Sequence, residues 1–563
     1  DSDAAADGGG TDQGSLTMTD SAVINAGTGT IDLHASEDVT LGQLVTTNTS
    51  TAAIQITSGA GGVVDGGDTG GADIVSATGR TVIDAATGIG AVNPLETSIE
   101  SIDADTTTGA IGIDNSLATT TTVISLTTVG STVNFDQAGG GNLSVTGNVS
   151  SGSVGPDVDG GNIELTSTAD LTVAGTSTIS SAAGTGGLLS INETTIDTGA
   201  VITVGAGDVT LSGSGQDTII NATITTATTA TFTATRDVIV GATITTTSAD
   251  ADIIINANTD NGTAVGAGGV QIQTAGQLVA GRDVTITGSD LFVTSAAGVL
   301  DSIEIQNDGT ADQIIANRDI SLTSRVASPA EADILVLGEL LATAGSVQID
   351  ALDRTILNDN VDAGIDVTFQ DAVDISADLT VTAGNDVTFF STVDEFATAT
   401  GSDLTVNGDG VTRFNAEVGG ASPLESLTTN AAGSTELEAD VTTDNGAVTF
   451  EDAVLLTGNV TVTNTSATSI NFNNTLDSQV DEHNSLILTA ETGEIVFDGD
   501  VGASTGTGAD DLTLGSLTVT SAVGVTFGNN DGVASILTDD SINIGSATTI
   551  GVSGITFDGV TAG

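Results

Sequence analysis

The segment 366–385 most constrains how this chain can fold, because it contains three short alternating stretches separated by turn residues. The stretches are Val367–Phe369, Val373–Ile375 and Leu379–Val381, and in each one two apolar residues flank a polar residue. This period of two is typical of a strand with one buried face, and the Gly, Asn and Asp residues between the stretches favour turns. The next stretch, Val387–Phe389, opens in the same way 20 residues later. A repeating coil of three strands is therefore predicted.

The composition indicates that the repeat continues along the chain. A chain of 563 residues would ordinarily divide into several globular domains. Only four prolines interrupt an even mixture of Gly, Thr, Ala, Asp and Val, so no domain boundary is marked. We predict an all-β fold, a right-handed parallel β-helix (β-solenoid) with irregular coils of about 20–30 residues.

The predicted organisation is one continuous solenoid with three parts. Residues 1–14 form a flexible lead-in, and residues 15–360 form a β-helix with irregular coils and loop insertions. Residues 361–563 form a β-helix with more regular coils that are marked by phenylalanine. A rival fold of tandem immunoglobulin-like sandwiches would require a period near about 100 residues and a core Trp or Tyr, neither of which is seen.

The phrase [Val/Ile]-x-Phe marks these coils, and eight of the 13 phenylalanines occupy it. From Phe450 onward, successive copies are 22, 25, 30 and 30 residues apart, ending at Phe557. If loops absorb the extra residues, the phenylalanines stay in register and stack at about 4.8 Å. The sequence therefore predicts one recurrent inward slot for Phe. The eight copies end at Phe135, Phe369, Phe389, Phe450, Phe472, Phe497, Phe527 and Phe557.

Two further phrases recur. Pro94–Ile99 and Pro423–Thr428 both begin Pro-Leu-Glu, and each leads through a Thr-rich stretch into a new strand. Arg-Asp followed by Val or Ile occurs at Arg236, Arg282 and Arg318, each time at the start of a strand. We expect each of these arginines to lie at a coil corner and to neutralise acids of neighbouring coils.

The stretch Ala280–Ile286, with the Thr/Val alternation after it, resembles the repeats of filamentous-haemagglutinin-type adhesins. The Pro-Leu-Glu-Ser-Leu and Gly-x-Val-Thr-Phe phrases resemble those of large β-strand-repeat surface proteins of environmental bacteria. The resemblance covers most of the chain as a style of repeat and is strongest over residues 230–563. It implies a right-handed β-helix and a role in adhesion or matrix building.

The charge balance narrows the choice of partners. The net charge is −67, from 74 acids against seven bases, and Lys, Trp and Tyr are absent. Such a surface repels nucleic acid and anionic lipid headgroups and attracts divalent cations. No apolar run approaches the length of about 20 residues needed to span a bilayer, so we expect no membrane insertion in this segment. Together with the abundance of Thr, Ser, Gly and Asn, the composition favours an extracellular or cell-surface location.

An enzyme is not expected. The two histidines, His34 and His483, are 449 residues apart. Because each coil of a solenoid adds to the distance between them, they are too far apart to form a metal site or a catalytic dyad. Some β-helix proteins cleave polysaccharides, but this chain has no Trp or Tyr on which sugars could stack. Carboxylates are so frequent that a pair at glycosidase spacing would arise by chance. No catalytic residue and no cofactor-binding residue is predicted.

Calcium is the favoured cofactor, although none is required. The stretch Gly213–Ile219 fits Gly-x-Gly-x-Asp-x-apolar, the phrase of calcium-binding β-rolls, with Asp217 as its acid. It occurs once, whereas such sites need tandem copies. The acidic turn that contains Asp498 and Asp500, and the pair Asp539 and Asp540, are the other candidate calcium ligands.

The leading functional hypothesis is an extracellular structural rod or fibre subunit. End-to-end self-association would build a filament for cell-surface, sheath or biofilm-matrix architecture. The alternative is an adhesin stalk or binding module that contacts cell-surface or matrix glycans or proteins. Its inserted loops would be Gly139–Asn142, Ser151–Gly161 and Gly502–Asp511.

Overall fold

The protein is built from parallel β-strands stacked as a β-solenoid, which confirms the predicted all-β fold. Among the described residues no helix is long and apolar enough to cross a membrane. The chain divides into two compact units, Asp1–Arg282 and Asp283–Gly563. The computed structural model describes residues 14–69, 71–152, 161–181, 189–192, 194–196, 200–204, 208–213, 217–257, 268–288, 301–307, 313–325, 333–397, 399, 401–502, 512–528, 535–544, 550–552 and 556–558.

The strands of the first unit are short, and most have between three and five residues. They are β1 (Leu16–Thr17), β2 (Val23–Asn25), β3 (Ile31–Ala35), β4 (Val39–Leu41), β5 (Gln43–Val45), β6 (Ile54–Ser58), β7 (Val63–Asp65), β8 (Ile74–Ala85), β9 (Leu95–Thr106), β10 (Ile111–Asn115), β11 (Thr121–Thr127), β12 (Val133–Gln137), β13 (Leu143–Ser151), β14 (Ile163–Ser167), β15 (Leu171–Val173), β16 (Thr178–Ser181), β17 (Leu189–Asn192), β18 (Thr194–Ile196), β19 (Val201–Val204), β20 (Val209–Gly213), β21 (Thr218–Ile220), β22 (Ile224–Thr226), β23 (Ala230–Ala234), β24 (Val238–Val240), β25 (Thr243–Thr246), β26 (Ile253–Ala257), β27 (Val270–Ile272) and β28 (Gln277–Ala280).

The second unit has the same character. Its strands are β29 (Val284–Gly288), β30 (Asp301–Ile305), β31 (Ile314–Ala316), β32 (Ile320–Ser324), β33 (Asp333–Val336), β34 (Leu340–Ala342), β35 (Val347–Asp350), β36 (Arg354–Leu357), β37 (Val361–Ala363), β38 (Val367–Phe369), β39 (Ala372–Ile375), β40 (Leu379–Ala383), β41 (Val387–Phe389), β42 (Val393–Glu395), β43 (Asp403–Gly408), β44 (Val411–Phe414), β45 (Ser426–Thr429), β46 (Ser434–Leu437), β47 (Val441–Thr443), β48 (Val448–Phe450), β49 (Ala453–Leu456), β50 (Val460–Asn464), β51 (Ile470–Phe472), β52 (Leu476–Ser478), β53 (Leu486–Thr489), β54 (Glu494–Phe497), β55 (Leu514–Ser521), β56 (Gly524–Phe527), β57 (Ser535–Ile544), β58 (Ile550–Val552) and β59 (Thr556–Asp558).

Over much of each unit, a strand pairs in parallel with the strand three places further along the chain. In the first unit β14 pairs with β17, β17 with β20 and β20 with β23. In the second unit β38 pairs with β41, and β39 pairs with β42. In these columns one coil is therefore three strands, as the segment 366–385 predicts, and it is hydrogen-bonded to neighbouring coils of the same unit.

The alternation of residue types sets which side chains enter the core. In β40 the side chains of Leu379, Val381 and Ala383 are buried, whereas Thr380 and Thr382 are half-buried on the other face. Because successive side chains of a strand point to opposite faces, each short strand contributes two or three apolar residues to the interior. Complete burial of a Val, Leu or Ile side chain stabilises the fold by about 1.5–3 kcal/mol.

The phenylalanines form two ladders rather than the single predicted slot. Phe369, Phe389 and Phe414 stack with ring centroids 4.9 and 5.2 Å apart. That column of strands continues from β44 to β46, where Leu437 takes the next inward position. The second ladder belongs to another column, which runs from β45 through β48 to β51.

The second ladder contains Phe450, Phe472, Phe497 and Phe527, with centroids 5.0 to 5.3 Å apart. Phe557 does not continue it, because Val552 pairs with Phe527 and Phe557 pairs with Ile536. The prediction of one slot is wrong for a physical reason. The phrase [Val/Ile]-x-Phe specifies that Phe faces inward, but the number of residues between phrases decides which strand of the coil carries it.

The two Pro-Leu-Glu phrases follow the same kind of turn. Gly90 has φ +54° and Gly419 has φ +68°, each four residues before its proline. A Cβ atom on either glycine would lie 3.1 Å from the Cα atom of Pro94 or Pro423, and closer still to backbone of the adjacent coil. Gly502 also has a positive φ, +65°, and residues 503–511 after it lie outside the described residues.

The Arg-Asp phrases lie at coil corners, as predicted. Each arginine pairs through two guanidinium nitrogens with an aspartate of the preceding coil: Arg236 with Asp217, Arg282 with Asp252, and Arg318 with Asp283. In two of the phrases, the aspartate that follows the arginine accepts hydrogen bonds from the next coil. Asp237 Oδ1 accepts the backbone N–H groups of Gly268 and Gly269 at 3.0 Å, and Asp319 Oδ1 accepts that of Ser346 at 2.9 Å.

Candidate cation site

The first predicted calcium ligand, Asp217, is bound within the protein. Its carboxylate accepts both contacts from Arg236, and Oδ1 also accepts the backbone N–H of Asp237 at 3.1 Å. Residues 214–216, which belong to the glycine phrase before it, lie outside the described residues. Asp217 therefore acts as the anchor of a corner arginine.

The other four predicted ligands lie in two separate places. Asp498 is exposed after β54, and Asp500 is half-buried two residues later. Asp539 and Asp540 are adjacent and exposed on β57. Across the part of the chain that is described, none of the five predicted ligands falls in a group of three carboxylate or imidazole ligands. Calcium binding at these residues stays a prediction.

The inserted loops of the binding-module hypothesis are only partly described. Gly139–Asn142 is a close-packed turn, because a Cβ atom on Gly139 or Gly141 would lie 2.3 or 2.0 Å from backbone oxygens of the preceding coil. Residues 153–160 and 503–511, which form most of the other two loops, lie outside the described residues.

The structure brings together three acids that the sequence did not single out. They are Asp65, Asp73 and Glu96, hereafter the acidic triad. Each offers a carboxylate oxygen, and these oxygens lie within 4.8 Å of one another. Among the described residues, no other group of three or more potential metal-ligating side chains meets this distance limit.

Strand register places Asp73 beside Glu96. Ile74 of β8 pairs with Thr97 of β9, so the residues before them also lie side by side. The backbone N–H of Asp73 donates to the carbonyl oxygen of Glu96 at 2.7 Å. Asp65 ends β7, and the connection from β7 to β8 then leads back to Asp73. Three consecutive segments of chain each contribute one carboxylate.

Two oxygens of the triad are buried without a hydrogen-bond donor. The Asp73 residue is 2% exposed, and its Oδ2 atom is buried and has no hydrogen-bond partner. The Oε2 atom of Glu96 is also buried and has no hydrogen-bond partner. A buried acceptor without a donor costs about 1–3 kcal/mol, and more when it carries charge, so these two oxygens require a counter-charge or a proton.

Burial and the charges of neighbouring acids raise the pKa values of two members of the triad, Asp73 and Glu96. Burial raises the pKa of Asp73 to about 8, and the negative charges of Asp65 and Glu96 add to the increase. The pKa of Glu96 is raised by its burial and by the charge of Asp65. The chain has no lysine, and Arg80 of this region binds Asp103 at 3.1 Å.

Glu96 also belongs to a ladder of acids. In the parallel register of β9, β10 and β12, Glu96 lies beside Asp114, and Asp114 lies beside Asp136. Burial and the charge of Asp136 raise the pKa of Asp114. The ladder ends at Thr166, whose hydroxyl donates to Asp136 Oδ1 at 2.6 Å. Consecutive coils are about 4.8 Å apart, so this column concentrates negative charge next to the triad.

A cavity of about 520 Å³ lies beside the triad, and Asp65 forms part of its wall. Most of the lining is glycine and other small residues, with Asp38, Thr87 and Asn93 among the polar side chains. The Asn93 amide donates to Asp65 and also to Asp68 Oδ1, the latter at 3.1 Å. Asp65 therefore lies between an open cavity and the other two acids of the triad.

A second acidic cavity in the same unit contains a carboxylate that does have hydrogen-bond donors. It has a volume of about 250 Å³ and is lined by Asp84 and Asp105, which lie side by side in strands β8 and β9. Asp105 Oδ1 accepts the hydroxyls of Ser125, at 3.2 Å, and Thr127. The two buried triad oxygens differ because no such donor reaches them.

The two histidines lie in different settings, His34 on an exposed strand face and His483 in a turn. His34 Nε2 lies 2.8 Å from Asp32 Oδ1 on β3, and both side chains are at least half exposed. His483 lies in the turn after β52, with φ +52°. Neither belongs to the acidic triad, whose oxygen ligands suit a hard cation.

Comparison with known proteins found no matching family model, no similar curated protein and no similar solved structure. The resemblance to filamentous-haemagglutinin-type repeats therefore stays a prediction. Sequence reasoning missed the triad because Asp65, Asp73 and Glu96 fit no ligand spacing. The one available signal was Glu96 itself, which lies in a Pro-Leu-Glu phrase that recurs in the chain.

Proposed function

We propose that this protein is an extracellular structural rod or fibre subunit. The observation that carries the proposal is the parallel stacking of three-stranded coils in both units, with an interior of aliphatic and phenylalanine columns. Every added coil extends the same hydrogen-bonded columns and buries the same kind of side chains. Repeating this arrangement makes the solenoid longer and keeps it stiff.

The ties between consecutive coils support a mechanical role. Arg318 binds Asp283 of the preceding coil, and Arg413 bridges Asp386 and Glu436 of the coils on either side of it. Such contacts join the outer surfaces of neighbouring coils in addition to the strand ladders. Charge-assisted pairs of this geometry are stronger than neutral hydrogen bonds, and their repetition resists sliding of one coil over the next.

The net charge of −67 supports exposure to an ionic medium outside the cell. Rods of this charge repel one another sideways. End-to-end contact is a separate matter, because the terminal strands of any parallel solenoid present unpaired N–H and C=O groups. A head-to-tail contact that does not close produces a filament, and we propose a second copy of the chain as the partner.

Two observations on producing cells test the proposal. Immunogold labelling should place the protein on the cell surface or in the surrounding matrix. Brief protease treatment of intact cells should remove it without releasing a cytosolic marker protein. Labelling confined to the cell interior would contradict the extracellular role.

The adhesin alternative predicts that the purified chain binds to a target surface. Purified chain would coat a host cell or matrix in a saturable manner, and deletion of residues 153–160 or 503–511 would abolish the coating. If both deletions leave attachment unchanged, these loops do not carry a binding function.

A further inference from the structure

We propose that the acidic triad of Asp65, Asp73 and Glu96 binds one Ca²⁺ ion. The proposal adds a ligand to the protein and is independent of the structural role above. It stands on the convergence of three carboxylates, on the burial of Asp73 and on the two oxygens without donors.

The negative charge of the triad needs either protons or a cation from solution to balance it. Besides the triad, Asp68 and Asp114 repel Glu96, and Asp20 repels Asp73. Burial of ionised carboxylates in one place without a counter-charge is strongly unfavourable. The two orphan oxygens are acceptors, and a metal ion satisfies several acceptors at once.

The donor set favours calcium over magnesium. Ca²⁺ binds six to eight oxygens at about 2.3–2.6 Å with flexible geometry, so oxygens of one shell lie up to about 5 Å apart. The triad oxygens, all within 4.8 Å of one another, fit inside such a shell. Mg²⁺ demands near-octahedral geometry at about 2.0–2.1 Å and retains several waters, which suits a group of three converging carboxylates less well.

The second Pro-Leu-Glu turn provides an internal comparison. Glu425 occupies the place of Glu96, and its backbone N–H donates to the carbonyl oxygen of Ser402 at 2.9 Å. Ser402, the residue beside Glu425, is 1% exposed and thus corresponds to Asp73. The fold accepts a small neutral residue at this buried position. An acid at position 73 is therefore a departure from what packing requires, and cation binding gives it a role.

The experiment measures calcium binding to the full-length chain by equilibrium dialysis. A background of about 0.15 M KCl screens weak association with exposed acids. We compare the wild type with Asp73→Asn and Glu96→Gln, and we use Glu425→Gln as the matched control from the other turn. With free calcium near about 1 mM, the concentration range of extracellular calcium modules, both triad variants should bind one equivalent fewer than the wild type. The control should bind as much as the wild type.

Hydrogen exchange of the same proteins locates the ion and verifies folding. Calcium should slow amide exchange in peptides that cover β7 to β9 of the wild type and of Glu425→Gln, but not of Asp73→Asn. In EDTA, Asp73→Asn should be at least as protected as the wild type, because the substitution removes repulsion without changing size.

Three results would overturn the proposal. The first is equal binding by wild type and Asp73→Asn, which means that the triad is held by protons. The second is the same loss in Glu425→Gln as in Glu96→Gln, which means diffuse association with acids in general. The third is equal protection by Mg²⁺ at the same concentration, which rules out a calcium-selective shell.

Discussion

Carboxylates in this protein differ in their partners, and the partners set their pKa values. Burial alone would raise the pKa of Asp386, yet the Arg413 guanidinium and the backbone N–H of Val411 hold it below its ordinary value. Asp452 is 1% exposed, and its pKa is raised by burial although the hydroxyls of Thr429 and Thr435 donate to it at 2.8 and 2.9 Å. Asp73 has an oxygen without a donor, and burial together with the charges of Asp65 and Glu96 raises its pKa to about 8.

Asp371 provides a pH-dependent test away from the acidic triad. Burial raises its pKa to about 6, the charge of Asp350 and a shared hydrogen bond with it add to this, and Asp353 contributes further. Because its pKa is raised in the folded state, protonated Asp371 contributes to stability. That contribution is complete below the unfolded pKa of 3.8 and is lost as the pH rises through about 6. Asp371→Asn removes this loss. We expect its stabilising effect to grow by about 1 kcal/mol between about pH 5 and pH 8.

Thermal unfolding followed by circular dichroism across that pH range measures the effect. The range stays above the isoelectric point of about 4.1, where the chain loses its net charge. Asp409→Asn, at an exposed turn position, is the control and should show no such trend. A constant difference between Asp371→Asn and the wild type at all pH values would contradict the assignment.

At the scale of elements, columns of like residues organise the fold. Period-two alternation predicts the strands of segment 366–385 because the 20 residues between Val367 and Val387 make up one coil without insertions. The column to which a strand belongs could not be predicted, since insertions between phrases change the strand count. Phe414 and Phe450 show this, because they lie in different columns although both end a strand with Phe.

The middle of the first Phe ladder offers a sharp test of packing. Phe389 is fully buried between two rings, whereas its neighbour Phe390 is 50% exposed. Phe389→Ala should lower the free energy of unfolding by about 3–5 kcal/mol because it leaves a cavity and removes two ring contacts. Phe390→Ala should change it by about 0.5 kcal/mol or less. Urea unfolding of both variants decides the matter, and equal destabilisation would mean that the register of β41 is wrong.

The Pro-Leu-Glu turn depends on glycine for two separable reasons. Gly419 has a positive φ, and a Cβ there would lie 2.1 Å from the carbonyl oxygen of Thr442. Gly140 has φ +83° but open space around it. Gly140→Ala should therefore cost about 1–2 kcal/mol from backbone strain alone. Gly419→Ala should lower the thermal midpoint clearly further, and a similar midpoint for both variants would remove the close-approach argument.

At the scale of the whole molecule, the sequence predicts architecture better than it predicts sites. Repetition of residue types carries the fold, and any coil with the same pattern gives the same information. A site depends on which acids meet, and this requires the register of particular coils. Asp73 and Glu96 are 23 residues apart, a separation typical of one coil, but many other pairs among the 74 acids share it. Asp73 lies at the end of the connection between β7 and β8, outside the strands whose alternation can be recognised in the sequence.

Cryo-electron microscopy of the purified full-length chain distinguishes a solenoid from a series of globular domains. We expect particles in which parallel coils repeat at about 4.8 Å along one axis. In the proposed fibre the same repeat continues from one chain into the next. Compact globular beads joined by linkers, without that axial repeat, would contradict both the solenoid and the structural function built on it.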